Sequence, residues 1–160
     1  MSWNSEDALA DLLCTLPAYV DWLGVADEAA ARARTHVRGL AVDDPNQMPT
    51  ERPFAVLWQA GDDVTERIAV GAGATLTRTG SAMVLCCQEA ADPADRPASE
   101  QAMREALDAW MEELMAAAGN NDHLAVTRAG YEYAPTFPPR ADEAATGSYL
   151  HAQIRVGWGL

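Results

Sequence analysis

The stretch TLTRTGSAMVLCC, residues Thr75–Cys87, predicts one long β-strand whose two halves have different surroundings. Threonine recurs at every second position of the first half, so we expect that half to be partly exposed to solvent. The second half, Ala82–Cys87, is apolar at consecutive positions, which is typical of a strand covered on both faces. This strand therefore predicts a sheet with a buried interior.

Strand patterns on either side of this stretch predict its partners. The last one is the clearest, because its apolar residues alternate with His151, Gln153 and Arg155. The predicted strands are Phe54–Trp58, Val64–Val70, Leu124–Tyr133 and Leu150–Trp158, with a weaker edge strand at His36–Leu40. Tight turns join several of them, which favours antiparallel or mixed pairing.

Helical periodicity appears in two regions of the chain. The N-terminal region predicts helices at Ser5–Leu16, at Ala18–Leu23 after an interruption by Pro17, and at Glu28–Arg34 with Asp27 as the cap. The clearest helix runs from a cap at Ser99 to Ala118, with apolar residues three and four apart and acidic residues elsewhere.

The order of these elements predicts an α+β fold. We expect a mixed or antiparallel sheet of about five strands, with the long helix and the N-terminal helices packed on it. A length of 160 residues fits a single domain, 1–160, with an N-terminal helical part at 1–40 and the sheet and long helix at 53–160.

The charge balance excludes several classes of protein. Asp and Glu number 24 against 11 cations, all of them arginine, and the net charge is −13. Such a field repels phosphates, so we expect neither a conventional nucleic-acid binder nor a protein attached to an anionic membrane. The acidic start, MSWNSED, differs from a signal peptide, and we therefore expect folding in the cytosol.

Motifs that carry chemistry are not apparent in the sequence. The segment Gly71–Ala74 precedes a predicted strand, whereas phosphate binding needs a helix N-terminus there. The three histidines lie on separate elements without the local pairing of zinc ligands. Cys86 and Cys87 fall in an apolar run that would suppress thiol reactivity. We expect no catalytic, metal-binding or cofactor-binding residues, and buried thiols.

Six features follow one another along the second part of the chain: the strand at 53–58, the long strand ending at Cys87, the helix containing LDAWME (107–112), the string GYEY (130–133), an acidic loop and the final alternating strand. In the order of these features, the sequence resembles the tail terminator proteins of long-tailed bacteriophages, the lambda-type minor tail proteins. The resemblance covers about residues 53–160, and the N-terminal part is longer than is typical of that family.

The resemblance implies a structural virion protein and not an enzyme. Subunits of this kind form a hexameric ring that caps the tail tube, ends its polymerisation and provides the surface for head joining. The implied partners are further copies of the chain, the major tail tube protein and the head–tail connector protein, without a cofactor or a membrane. The implied location is the head-proximal end of the virion tail, after synthesis in the host cytoplasm, with DNA passing through the lumen without specific binding.

Two sets of residues are candidates for these roles. Arginine and aromatic residues are common in interface cores, and the interface candidates are Trp3, Trp22, Arg52, Phe137 and Arg140. For Trp3 and Trp22 the sequence leaves open whether they cover the domain or contact a neighbour, whereas Trp58, Trp110 and Trp158 fall on predicted core positions. The acidic lumen candidates are Glu105, Asp108, Glu112, Asp142 and Glu143.

Two alternatives remain open at this point. A head–tail connector or neck adaptor protein shares the small size and the ring assembly. A small cytosolic ligand-binding domain or enzyme would instead require a pocket in which polar groups converge.

Overall fold

The computed structural model describes residues 5–37, 51–59, 64–70, 73–92, 94–118, 125–132 and 149–159. Within these ranges the chain is a mixed α+β fold with four helices and six strands in one sheet, slightly more strands than predicted. The helices are α1 (Ser5–Cys14), α2 (Pro17–Leu23), α3 (Glu28–Ala33) and α4 (Arg96–Ala118). The strands are β1 (Thr35–Val37), β2 (Phe54–Gln59), β3 (Val64–Val70), β4 (Gly73–Glu89), β5 (Ala125–Glu132) and β6 (Tyr149–Gly159).

Proline, glycine and aspartate set the limits of the short N-terminal helices. Pro17 occupies the first position of α2, where its missing N–H costs no intrahelical hydrogen bond. Gly24 ends α2 in the left-handed conformation, at φ 66°. The Asp27 carboxylate accepts a hydrogen bond from the backbone N–H of Ala30 at 2.8 Å and caps α3. The predicted breaks at Pro17 and Gly24 and the predicted cap at Asp27 are confirmed.

Arg32 connects α1, α3 and β1. Its guanidinium lies 3.0 Å from a carboxylate oxygen of Asp7 and 3.0 Å from one of Asp11, and it donates to the backbone carbonyl of Thr35 at 2.7 Å. Ion pairs at such exposure contribute only about 0–1 kcal/mol each. Their main effect is to orient α1 relative to the first strand of the sheet.

β4 is the strand on which the sheet is assembled. Its residues 73–79 pair with β3, residues 82–87 pair with β2 and residues 79–89 pair with β6, all antiparallel. β5 lies antiparallel beyond β6, and β1 lies parallel beside β2, so the order is β1-β2-β4-β6-β5. The second half of the predicted strand, Ala82–Cys87, is buried except for the half-buried Met83, whereas the partial exposure of the first half stays a prediction.

Both faces of the sheet carry buried apolar residues. One face packs with α1, α2 and α4 in a single core cluster, to which the sheet contributes Ala55, Leu57, Ala82, Val84, Cys86, Leu150, Ala152, Ile154 and Val156. The other face carries a smaller buried cluster of Phe54, Val56, Leu85 and Cys87. The prediction that β2 is covered on both faces is confirmed, and Cys86 and Cys87 point to opposite faces as expected.

α4 begins at Arg96, three residues before the predicted start. The Asp95 carboxylate accepts a hydrogen bond from the backbone N–H of Ala98 at 3.1 Å and caps the helix. Ser99 is instead buried in the first turn, where its hydroxyl donates to the carbonyl of Asp92 and accepts from the N–H of Asp92, both at 2.9 Å. The predicted cap at Ser99 is wrong because an aspartate one turn earlier already performs this role.

The apolar stripe of α4 provides the first stability prediction. Leu107 is fully buried, so Leu107→Ala should reduce the free energy of unfolding by about 2–5 kcal/mol. Met115 lies on the same helix with 43% of its surface exposed, and Met115→Ala should change that free energy by no more than about 0.5 kcal/mol. Urea denaturation at low protein concentration, followed by circular dichroism, measures both. Equal losses would contradict the described orientation of α4.

Candidate interaction surface

The outer side of α4 is an acidic face formed by Glu105, Asp108 and Glu112. At 3.6 residues per turn these three residues lie within about 60° of one another around the helix, opposite the buried stripe. Glu105 and Glu112 are exposed and Asp108 is half-buried. The structure therefore brings together the three lumen candidates that it describes.

Other charged groups of α4 reduce this negative charge only in part. The helix contains five acidic residues and two arginines, a net charge of −3. Arg96 pairs with Glu100 at 2.9 Å, one turn along the helix, and Gln101 donates to Glu105 at 3.0 Å. The acidic face therefore stays anionic along the middle of the helix.

Glu113 has a different role from the acidic face. Its carboxylate accepts a hydrogen bond at 2.9 Å from the backbone N–H of Ala18, at the start of α2. The N-cap residue of α2 is Leu16, whose side chain has no hydrogen-bond acceptor. The carboxylate from α4 therefore caps α2, and 95 positions of sequence separate the two bonded residues. The sequence pattern placed Glu113 among the solvated carboxylates of α4, so this role was missed.

A groove beside α4, which we call the Trp22 groove, has a volume of about 290 Å³. Two alanines one turn apart line it on α4, and two further lining residues come from the segment before β2. The lining residues are Trp22, Arg52, Pro53, Gln88, Glu89, Ala102 and Ala106. The Arg52 guanidinium carbon lies 5.9 Å from the centre of the Phe54 ring, a cation–π contact. This interface candidate therefore lies beside a cavity.

Trp22 belongs to the hydrophobic core and also lines this groove. Its ring lies 5.7 Å from that of Tyr19 and 6.5 Å from that of Trp110, and 9% of its surface is exposed. Its indole N–H donates to the side-chain oxygen of Gln88 at 2.8 Å. Covering the domain, the first of the two alternatives for Trp22, therefore accounts for its position without a neighbouring subunit. Gln88 was not among the site residues predicted from the sequence. The spacing of Ala102 and Ala106 does mark one side of α4 that carries small residues.

The Thr35 hydroxyl is the centre of a buried polar network. It donates to the carbonyl of Ala31 at 2.9 Å, so it accepts from the phenol of Tyr19 at 2.8 Å and from the thiol of Cys14 at 3.6 Å. Burial raises the pKa of the Tyr19 phenol well above its ordinary value and also raises the pKa of the Cys14 thiol. All these groups are neutral at pH 7, and the network holds α2 and α3 against the start of β1.

The cysteines and histidines form no reactive or metal-binding cluster in the described ranges. The thiols of Cys14, Cys86 and Cys87 are buried, as expected, and burial raises the pKa of the Cys86 thiol well above its ordinary value. Across the residues that the structure describes, no group of three or more His, Cys, Asp or Glu side chains is arranged to hold a metal ion.

Five of the ten predicted site residues lie outside the described residues. These are Trp3, Phe137 and Arg140 among the interface candidates, and Asp142 and Glu143 among the lumen candidates. Their roles stay predictions.

No protein-family model matches the chain, and no curated protein matches it. The described helices include none that combines the length and the apolar character needed to cross a membrane.

The Thr35 network predicts a large effect for a small substitution. Thr35→Val keeps the shape of the side chain but leaves the buried Tyr19 phenol without its acceptor, so the free energy of unfolding should fall by about 1–3 kcal/mol. Thr15→Val is the matched control, because the Thr15 hydroxyl bonds the carbonyl of Leu12 in an exposed position. Urea denaturation measures both variants. In the double variant Tyr19→Phe/Thr35→Val we expect a loss smaller than the sum of the single losses.

The buried phenol and thiol also predict how stability depends on pH. In the unfolded chain tyrosine and cysteine ionise near their ordinary pKa values, about 10 and 8.5. In the folded chain burial keeps Tyr19 and Cys86 protonated to higher pH, so above those values the folded state binds more protons than the unfolded state. Their contribution to stability is therefore full below about pH 8 and decreases as the pH rises further. Urea midpoints between pH 8 and pH 11 should fall less steeply for Tyr19→Phe; identical slopes would contradict this.

Proposed function

We propose that this chain is a tail terminator protein of a long-tailed bacteriophage. Copies of the chain assemble into a ring, hexameric in this proposal, that caps the tail tube. The ring ends tube polymerisation and provides the surface to which the head-side connector binds. The protein is structural, works without a cofactor and resides at the head-proximal end of the virion tail.

The acidic face of α4 is the observation that carries this proposal. At 1.5 Å per residue the 23 residues of α4 form a rod of about 35 Å, and Glu105, Asp108 and Glu112 line its outer side. Turned toward the axis of a ring, such faces repel DNA phosphates and let DNA pass without binding. The lumen in this proposal is formed by this face together with Asp142 and Glu143.

The remaining sequence candidates are placed by the same proposal at contacts between proteins. A closed ring uses two different patches on each subunit, and the tube and the connector need further surfaces. Arg52 and Trp22 lie at the Trp22 groove, which is one such patch. Trp3, Phe137 and Arg140 are proposed for contacts with neighbouring subunits or partner proteins.

Assembly on a tube is the direct test of this function. The purified chain, alone and mixed with the major tail tube protein encoded in the same genome, is examined by sedimentation and negative-stain electron microscopy. Six-fold rings bound to one end of tubes, and shorter tubes as more of the chain is added, are expected. A head–tail neck adaptor would also form rings but would bind the connector and leave tube length unchanged. A chain that neither assembles nor alters tube length would contradict the proposal.

Charge reversal on α4 tests the lumen assignment. The triple variant Glu105→Lys/Asp108→Lys/Glu112→Lys should still fold, because these positions lie on the outer side of the helix, and its ring formation is checked by negative stain before DNA is added. It should retain double-stranded DNA at low salt and release it as salt rises, whereas the native ring should not bind DNA. The neutral variant Glu105→Gln/Asp108→Asn/Glu112→Gln is the control for loss of charge alone. DNA binding and phage titre in complementation are the measurements, and an unchanged titre for the lysine variant would place the acidic face on the outer wall.

A further inference from the structure

We propose that Met115 of one copy of the chain packs into the Trp22 groove of a second copy, so that copies associate head to tail. It rests on the proposed function in one respect: the ring proposed there closes the head-to-tail series of contacts. The contact itself is inferred from two surfaces of α4.

Met115 is the projecting side of this contact. With 43% of its surface exposed, it is the one large hydrophobic side chain that is exposed among the residues whose side chains the structure describes. Met111, one turn earlier on the same side of the helix, is partly buried against the core. Complete burial of a methionine side chain is favourable by about 1.5–3 kcal/mol, and covering the exposed 43% of Met115 would gain part of that free energy.

The Trp22 groove has the size and the lining to receive a methionine side chain. Its volume of about 290 Å³ exists because Ala102 and Ala106 carry only a methyl group on that side of α4. The indole of Trp22 and the ring of Pro53 provide apolar surface inside it. An unbranched thioether adapts to an irregular cavity and makes favourable contacts with aromatic rings.

The positions of the two surfaces on α4 determine the symmetry of the contact. Nine residues separate Ala106 from Met115, which is two and a half turns, so the two lie on opposite sides of one helix. Each copy therefore presents a projection on one side and a groove on the other, which is a heterologous contact that can repeat from copy to copy. The acidic face lies between these sides, and its edge at Asp108 adjoins Met115.

Charge complementarity identifies the occupant as a second copy. Glu112 lies three residues before Met115 and Asp108 seven residues before it, so carboxylates flank the projection. The Trp22 groove contains Arg52, a guanidinium cation that attracts carboxylates. Glu89 in the groove opposes the approach, and Glu89→Gln should strengthen the association.

Mixing two variants tests the head-to-tail arrangement. Met115→Arg blocks the projection and Ala102→Arg blocks the groove, and both positions are exposed. The control Ala116→Arg adds the same charge at an exposed position beside Met115. We expect concentration-dependent association of the native chain and of the control in sedimentation velocity, and monomers of each blocked variant alone. An equal mixture of the blocked variants should form one-to-one complexes that do not grow; larger oligomers in the mixture would contradict the head-to-tail arrangement.

Cross-linking keeps the test decisive if the contact is weak. In Ala102→Cys/Met115→Cys, oxidation at high protein concentration should give a ladder of disulfide-linked oligomers, and Ala102→Cys/Ala116→Cys should give none. Absence of both association and ladder would overturn the proposal. A ladder from open chains that never close into rings would support the contact and contradict the terminator function. Rings that persist in Met115→Arg and Ala102→Arg would support the terminator function and contradict the contact.

Discussion

Burial of Trp110 is the constraint on which the arrangement of the described residues depends. Its ring is fully buried, with Tyr19 at 5.4 Å in an edge-on contact and Trp22 at 6.5 Å. The indole N–H has no hydrogen-bond partner within the described part of the chain, a cost of about 1–3 kcal/mol that the large area of buried ring offsets. Because α4 must turn Trp110 inward, its rotation is set, and the acidic face, the Met115 side and the Trp22 groove follow from that rotation.

Features that depend on periodicity were predictable from the sequence. The alternation in β6 and the spacing of Met103, Leu107, Trp110 and Leu114 in α4 report burial directly, since each repeats over several turns or residue pairs. The breaks at Pro17 and Gly24 were equally visible because those residues act through their own backbone. The start of α4 was misplaced because two adjacent segments offer a cap, and only the tertiary position of Ser99 shows that it is buried.

Features that depend on contacts between distant segments were not predictable. The bond from Ala18 to Glu113 and the bond from Trp22 to Gln88 join residues 95 and 66 positions apart, and no local pattern marks either pair. The Trp22 groove forms where α2, α4, the end of β4 and the segment before β2 meet. The sequence identified Trp22 and Arg52 as residue types suited to interfaces. It contained no information on which of them the fold would bury.

The net charge of −13 sets a limit on how copies of this chain can associate. Identical acidic subunits repel one another, so a stable contact needs apolar burial or a locally positive partner surface. Several arginines already serve the chain's own carboxylates: Arg32 pairs with Asp7 and Asp11, and Arg34 pairs with Glu51. The sides of α4 offer such surfaces: Met115 is apolar and exposed on one side, and two alanines lie near Arg52 on the other. The outer face of the helix is acidic and offers neither. The acidity that would keep DNA from adhering to a lumen therefore also confines subunit contacts to the sides of the helix.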